Sequence, residues 1–142
     1  MIALGSDHGG YDLKKTVIEY LEEKNIPYED FGCYDKTSCV YAEFGRAAAR
    51  AVASGECEKG IVICTTGIGI SMVANKIKGI RAALCTDPYS AKMTRLHNDA
   101  NVLALGGGII GKNMALEIVE VFLNTEFSQG ENHIRRIGQL ED

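Results

Sequence analysis

The chain has 142 residues, 46% of them hydrophobic and 24% charged, enough material for one sizeable core. Its formal net charge of −4 supplies no general attraction to nucleic acid or to an anionic membrane surface, so a small solute is the better partner. No apolar run approaches the roughly 18 residues of a membrane span, and MIALGSDHGG lacks the basic start and apolar stretch of a signal peptide, which points to a cytoplasmic protein.

In chain order, residues 2–4 read as a strand, and Leu13, Val17, Ile18 and Leu21 recur at helical spacing behind it. Pro27 breaks that pattern before a short strand near 28–31, and an alanine-rich helix is predicted over 41–54. A strand over 60–64 leads into a helix over 69–77, a strand over 80–85 and a helix opened by Pro88. A strand over 102–105, a long helix over 113–123 and a helical tail holding His133 and Arg136 complete the series. Alternating strands and helices, with strands apolar on both sides, predict an α/β fold: a parallel sheet of about five strands covered by helices on both faces. No linker rich in Pro, Gly or Ser interrupts it, so one domain is expected.

Cys33, Cys39, Cys57, Cys64 and Cys85 are odd in number and form no CxxC pair, which reads as reduced thiols. His8, His97 and His133 lie far apart without HxxxH or HExxH spacing, so no local pattern supports a metal site.

Open parallel sheets bind ligands beyond the carboxyl ends of their strands. The first strand runs into Ser6, Asp7, His8, Gly9 and Gly10, and the third into Cys64, Thr65, Thr66, Gly67, Ile68 and Gly69. Cys64 thus ends a buried strand just before a helix N-terminus, where free N–H groups and partial positive charge favour a thiolate able to act as base or nucleophile. Gly67 and Gly69 allow a tight turn that aims several amides into one concavity, suited to a phosphate or an oxyanion. A small core cysteine followed by an ordinary tight turn explains the same letters, and the residues alone leave both open.

Three competing motifs fail. A CxxxxxR phosphatase needs arginine where Ile70 stands, and no GK is followed by Ser or Thr as a P-loop requires. Gly106, Gly108 and Gly111 spell GxGxxG between a strand and a helix, but no later strand follows to carry a ribose-binding acid.

The segments GSDHGGYDLKK, CTTGIGISMVANK and GIRAALCTDPYSAKMTRLHNDANVLALG, with His133 and Arg136 in the tail, together resemble type B ribose-5-phosphate isomerase and its sugar-phosphate isomerase relatives, including galactose-6-phosphate isomerase. The resemblance covers essentially the whole chain. It implies a Rossmann-like αβα sandwich and a single sugar-phosphate isomerase domain over 1–142. It also implies a small-molecule sugar phosphate as partner, no cofactor, no metal, and a homodimer or tetramer with active sites shared between subunits. The implied reaction interconverts ribose 5-phosphate and ribulose 5-phosphate, a pentose phosphate step, through an enediolate.

By the same resemblance, Cys64 moves the carbon-bound proton, and His97 with Thr66 opens the sugar ring. His97 would close the helix begun at Pro88, whose negative end favours a protonated imidazole; a surface histidine capping a helix is the competing explanation. Asn98 and Asp7 would hold sugar oxygens, His8, His133 and Arg136 the phosphate end, and Tyr41, Thr65, Gly67, Gly69 and Ser71 the rest of the substrate. Asp7 and His8 also fit a solvated turn with Asp7 as helix N-cap, and His133 with Arg136, three apart, also fit an ordinary basic helix face.

The chain departs from the family at the phosphate end. Gly108 and Asn132 stand where relatives usually carry arginine, Val40-Tyr41-Ala42 replaces Asp-Tyr-Pro, and Thr65 replaces the glycine after the cysteine. An arginine–phosphate pair contributes about 1.5–3 kcal/mol. Isomerisation of another sugar phosphate, isomerisation of an unphosphorylated aldose, and non-catalytic sugar-phosphate binding therefore stay open beside ribose 5-phosphate.

Overall fold

The computed structural model describes residues 1–141. Five strands, β1 (Ile2–Ser6), β2 (Tyr28–Asp30), β3 (Lys59–Cys64), β4 (Ala82–Leu84) and β5 (Val102–Gly106), form one sheet. Their order is β2-β1-β3-β5-β4, with every pair parallel. Six α-helices accompany them: α1 (Tyr11–Glu23), α2 (Tyr41–Ala53), α3 (Ile68–Asn75), α4 (Pro88–Asn98), α5 (Lys112–Asn124) and α6 (Glu131–Gly138). The predicted elements are all present in their predicted order. The main difference is β4, shorter than 80–85. Side chains take part of the bonding at its entry, with Asn101 Oδ1 accepting from Arg81 N–H at 2.8 Å and the Asn75 amide bracketing Ala82.

Alternation along the strands divides the core in two. Leu4, Ile61, Ile63, Leu103 and Leu105 pack with Val17 and Leu21 of α1, Ala91 of α4, and Ile118, Val119 and Phe122 of α5 on one face. Ala3, Val62, Cys64, Val102 and Ala104 pack with Ala48, Val52, Ile70 and Ala74 of α2 and α3 on the other. The alanines let α2 approach the sheet closely. A Cβ on Gly5 would stand 2.5 Å from the Phe44 carbonyl oxygen of that helix. Gly5→Ala is therefore expected to cost about 2 kcal/mol by overpacking, read as a melting temperature about 6 °C lower; an unchanged melting curve would exclude the close approach.

The chain leaves β1 toward β2 on one side and leaves β3 toward β4 on the other. The strand order therefore reverses between β1 and β3, and in open parallel sheets a crevice opens beyond the strand ends at such a point. Among the described residues, no helix is long and apolar enough to cross a membrane.

Candidate active site

The loops after β1 and β3 meet at that crevice. Cys64 is the last residue of β3, only 5% exposed, and strand alternation turns it toward α2 and α3. Gly67 then takes a left-handed turn (φ 78°), which bends the chain back so that its N–H donates to Cys64 Sγ at 3.1 Å. A side chain at Gly67 has no room, since a Cβ would lie 2.6 Å from Leu84 Cδ1 and 2.8 Å from the Leu105 carbonyl carbon. Thr66 Oγ1 accepts from Ile68 N–H at 3.2 Å. First-turn amides of a helix have no partner within it, and those of Gly69 and Ile70 find none elsewhere among the described residues.

Around this turn lies a cavity of about 390 Å³ lined by Asp7, Tyr41, Cys64, Thr65, Thr66, Ile68 and Gly69. A Cβ on Gly69 would fall 2.7 Å from the Tyr41 ring, so glycine there lets α2 and α3 converge over the cysteine. Asp7 is 7% exposed and accepts from Gly10 N–H at 3.0 Å, so it caps the short 3-10 turn at His8–Gly10 while lining the cavity. His8 is exposed, and its Nδ1 accepts from Cys39 N–H at 3.2 Å. Thr65 is pinned from the β5 side, its carbonyl accepting from Gly108 N–H at 2.8 Å. A Cβ on Gly108 would stand 2.9 Å from Thr65 Cγ2. Two of the positions that depart from the resemblance thus touch, and with Thr65 in place a side chain at 108 requires Thr65 to move.

A second group of the expected residues gathers elsewhere. His97 and Asn98 are the last residues of α4, and His133 and Arg136 lie one turn apart on α6. The His97 and His133 rings stack with centroids 4.3 Å apart and planes 15° from parallel. These four residues, with Ile137 and Leu140, line a cavity of about 200 Å³. Desolvation, then the neighbouring His97 and Arg136 charges, hold His133 below the usual imidazole pKa. The unfolded chain therefore binds that proton more readily than the folded one, and this contribution to stability is lost as pH falls through the ordinary imidazole range. The melting temperature is expected to fall more in the wild type than in His133→Asn between about pH 7.5 and pH 5.5; equal falls would contradict it.

Within one chain the two cavities share no lining residue. Ser71 lies outside both, with its hydroxyl donating to the Ile68 carbonyl at 2.7 Å and its N–H to the Gly67 carbonyl. The Gly67 amide is spent on the cysteine sulfur, while those of Gly69 and Ile70, like those of Thr65 and Thr66, find no partner among the described residues. Sequence reasoning missed Ile68, Ile137 and Leu140, apolar residues whose place at a cavity has no local signature. Among the described residues, no three of His, Cys, Asp and Glu gather as a metal site. Cys85 is also buried, and burial followed by Asp87 pushes its thiol up to about 11, which keeps it protonated at neutral pH.

The family model for ribose/galactose isomerases matches residues 2–140. The chain belongs to this family. Ribose-5-phosphate isomerase B of Escherichia coli is 42% identical over 136 residues, covering 96% of this chain and 91% of that protein. The galactose-6-phosphate isomerase subunit LacB of Clostridium acetobutylicum is 44% identical over 143 residues, covering 99% of this chain and 83% of its own. Among solved structures, ribose-5-phosphate isomerase B of Clostridium thermocellum superposes with a TM-score of 0.97 at 50% identity, covering 99% of this chain and 94% of that one. Two relatives of nearly equal identity thus carry names with different sugars. Membership of the ribose/galactose isomerase family gives isomerase chemistry and leaves the sugar to be argued from the site.

Proposed function

We propose that this chain interconverts ribose 5-phosphate and ribulose 5-phosphate, with Cys64 moving the proton between C1 and C2. The observation that carries this is the Cys64 cavity: a thiol at a strand end, an amide on its sulfur, and free amides at the start of α3. Proton transfer next to a carbonyl builds negative charge on that carbonyl oxygen, and preorganised N–H donors stabilise it. Gly69 and Ile70 supply such donors. In this reading Asp7, which lines the cavity, holds a sugar hydroxyl, and Tyr41 closes it.

Ring opening needs an acid–base group on the ring oxygen and anomeric hydroxyl. His97 is the candidate, with Thr66 assisting, Asn98 on a sugar oxygen and His8, His133 and Arg136 toward the phosphate. Because His97 and Cys64 belong to separate cavities of one chain, the proposal assigns them to one site across two subunits of a homodimer. Ile68 and Leu84 support that reading, since both stand exposed beside the cysteine turn and offer apolar surface for a partner to cover.

The test compares rates on ribose 5-phosphate, galactose 6-phosphate and unphosphorylated ribose. Ribose 5-phosphate is expected to give the highest kcat/KM; a higher value for another sugar reassigns the substrate. Saturable binding of ribose 5-phosphate with no ketose formed would instead make the chain a sugar-phosphate-binding protein.

A further inference from the structure

His8 Nδ1 is engaged by a group that can only donate, the Cys39 backbone N–H at 3.2 Å. An imidazole nitrogen that accepts carries no proton, so the proton of a neutral ring then sits on Nε2. The Cys39 thiol lies 3.9 Å from the same nitrogen. Burial and the nearby Cys33 raise its pKa, so it too faces Nδ1 as a protonated group. We propose that Cys39 is a positioning residue for the sugar-phosphate site: its backbone N–H locks His8 as the neutral Nε2–H tautomer, so that His8 meets a substrate oxygen as an uncharged hydrogen-bond donor. This rests on the reading of His8 as a substrate contact.

The segment from Phe31 to Val40 has no regular structure of its own, so something must hold the amide in place. Lys14 anchors the start of the segment. It is 1% exposed, and its ammonium donates to Asp30 Oδ1 at 2.8 Å and to the Cys33 carbonyl. The rings of Tyr11 and Tyr34 lie 5.7 and 5.6 Å from it. Asp30 Oδ1 in turn accepts from Gly32 N–H at 2.9 Å, and Cys33 N–H donates to the Ser6 carbonyl at 2.7 Å. The start of the segment is thereby fixed to the end of β1, two residues before His8. A buried lysine is costly unless charge and hydrogen bonds compensate it, and here the compensation is the anchor of the loop. Farther along, Lys36 pairs with Asp12 at 2.8 Å on the surface, and the segment delivers Tyr41 to the Cys64 cavity.

The test is the nitrogen chemical shifts of the His8 ring in the free protein, followed upward in pH until they no longer change, which needs no substrate. A single Nε2–H tautomer in the wild type and in Cys39→Ala, with both tautomers populated in Cys39→Pro, is the expected result, since proline alone lacks the N–H. Cys39→Pro is also expected to raise the KM for ribose 5-phosphate about fivefold with kcat little changed, as loss of one neutral hydrogen bond predicts. A mixture of tautomers or an Nδ1–H ring in the wild type overturns the proposal, as does an unchanged tautomer in Cys39→Pro. Loss of the Nε2–H form in Cys39→Ala overturns it as well, by assigning the lock to the thiol. If Cys39→Pro does not fold, the wild-type and Cys39→Ala spectra decide. Failure of the ribose 5-phosphate assignment would show only in turnover and leave these spectra unchanged.

Discussion

Cys64→Ala is expected to convert ribose 5-phosphate at least about 10³-fold more slowly than the wild type while still binding it, because a positioned acid–base group contributes about 10² to 10⁴ and no second thiol lines the cavity. Asp7, Tyr41, Thr65 and the α3 amides remain, so KM should move little while kcat collapses. Removal of the sulfur also strips the acceptor from the Gly67 N–H, at a cost of about 1 kcal/mol, which a folded domain of this size tolerates. Cys64→Ser separates chemistry from folding. Its hydroxyl keeps an acceptor for Gly67 but is a far weaker proton carrier, so it should fold like the wild type and be nearly as slow as Cys64→Ala. Retention of more than a tenth of wild-type kcat in either variant would reduce Cys64 to a packing residue. Exchange of the substrate's carbon-bound proton with deuterated solvent gives an independent readout of the same step.

The second large effect concerns where the ring-opening group comes from. Cys64→Ala and His97→Ala should each be nearly inactive alone. When their subunits are mixed and allowed to exchange, activity should return to about a quarter of the wild-type level, since half of randomly paired dimers are hybrids with one intact site of two. One site of the hybrid joins the intact cysteine of one subunit to the intact histidine of the other, while the second site carries both lesions. A site contained within one chain gives no recovery, because every subunit then carries a lesion of its own. The separation of the two cavities is what makes recovery the expected outcome. A monomer in solution at assay concentration would sink the shared-site proposal outright.

The elements were legible because their signals are local. Apolar runs marked β1, β3 and β5, the spacing of Leu13, Val17 and Leu21 marked the buried stripe of α1, and Pro88 opened α4 behind an Asp87 cap. Alternation along β3 and the glycines after it placed Cys64 at a strand end before a helix, which is where it stands. The resemblance carried the rest of the candidate residues, and most of them line one cavity or the other. His8, Gly67 and Ser71 do not; the place of Ser71 on the inward face of α3 follows from helical phase and not from its neighbours in the motif.

Lys14 shows the limit from the other side. On an amphipathic helix a lysine beside Leu13 reads as solvent-facing, yet it is 1% exposed, since Asp30 and the Cys33 carbonyl come to it from another part of the chain. The amide on His8 has the same origin, with donor and acceptor 31 positions apart in the chain. By itself the sequence determined the order of strands and helices, the parallel sheet and the thiol at the end of β3, because burial periodicity and turn chemistry act over a few residues. Only the tertiary structure decided which cavity each side chain enters, that Thr65 meets Gly108, that the cysteine and the histidine pair stand apart, and that Lys14 anchors the loop over His8. Those relations depend on how distant segments pack against the sheet, and the free energy that fixes them is shared among residues that carry no mark of one another.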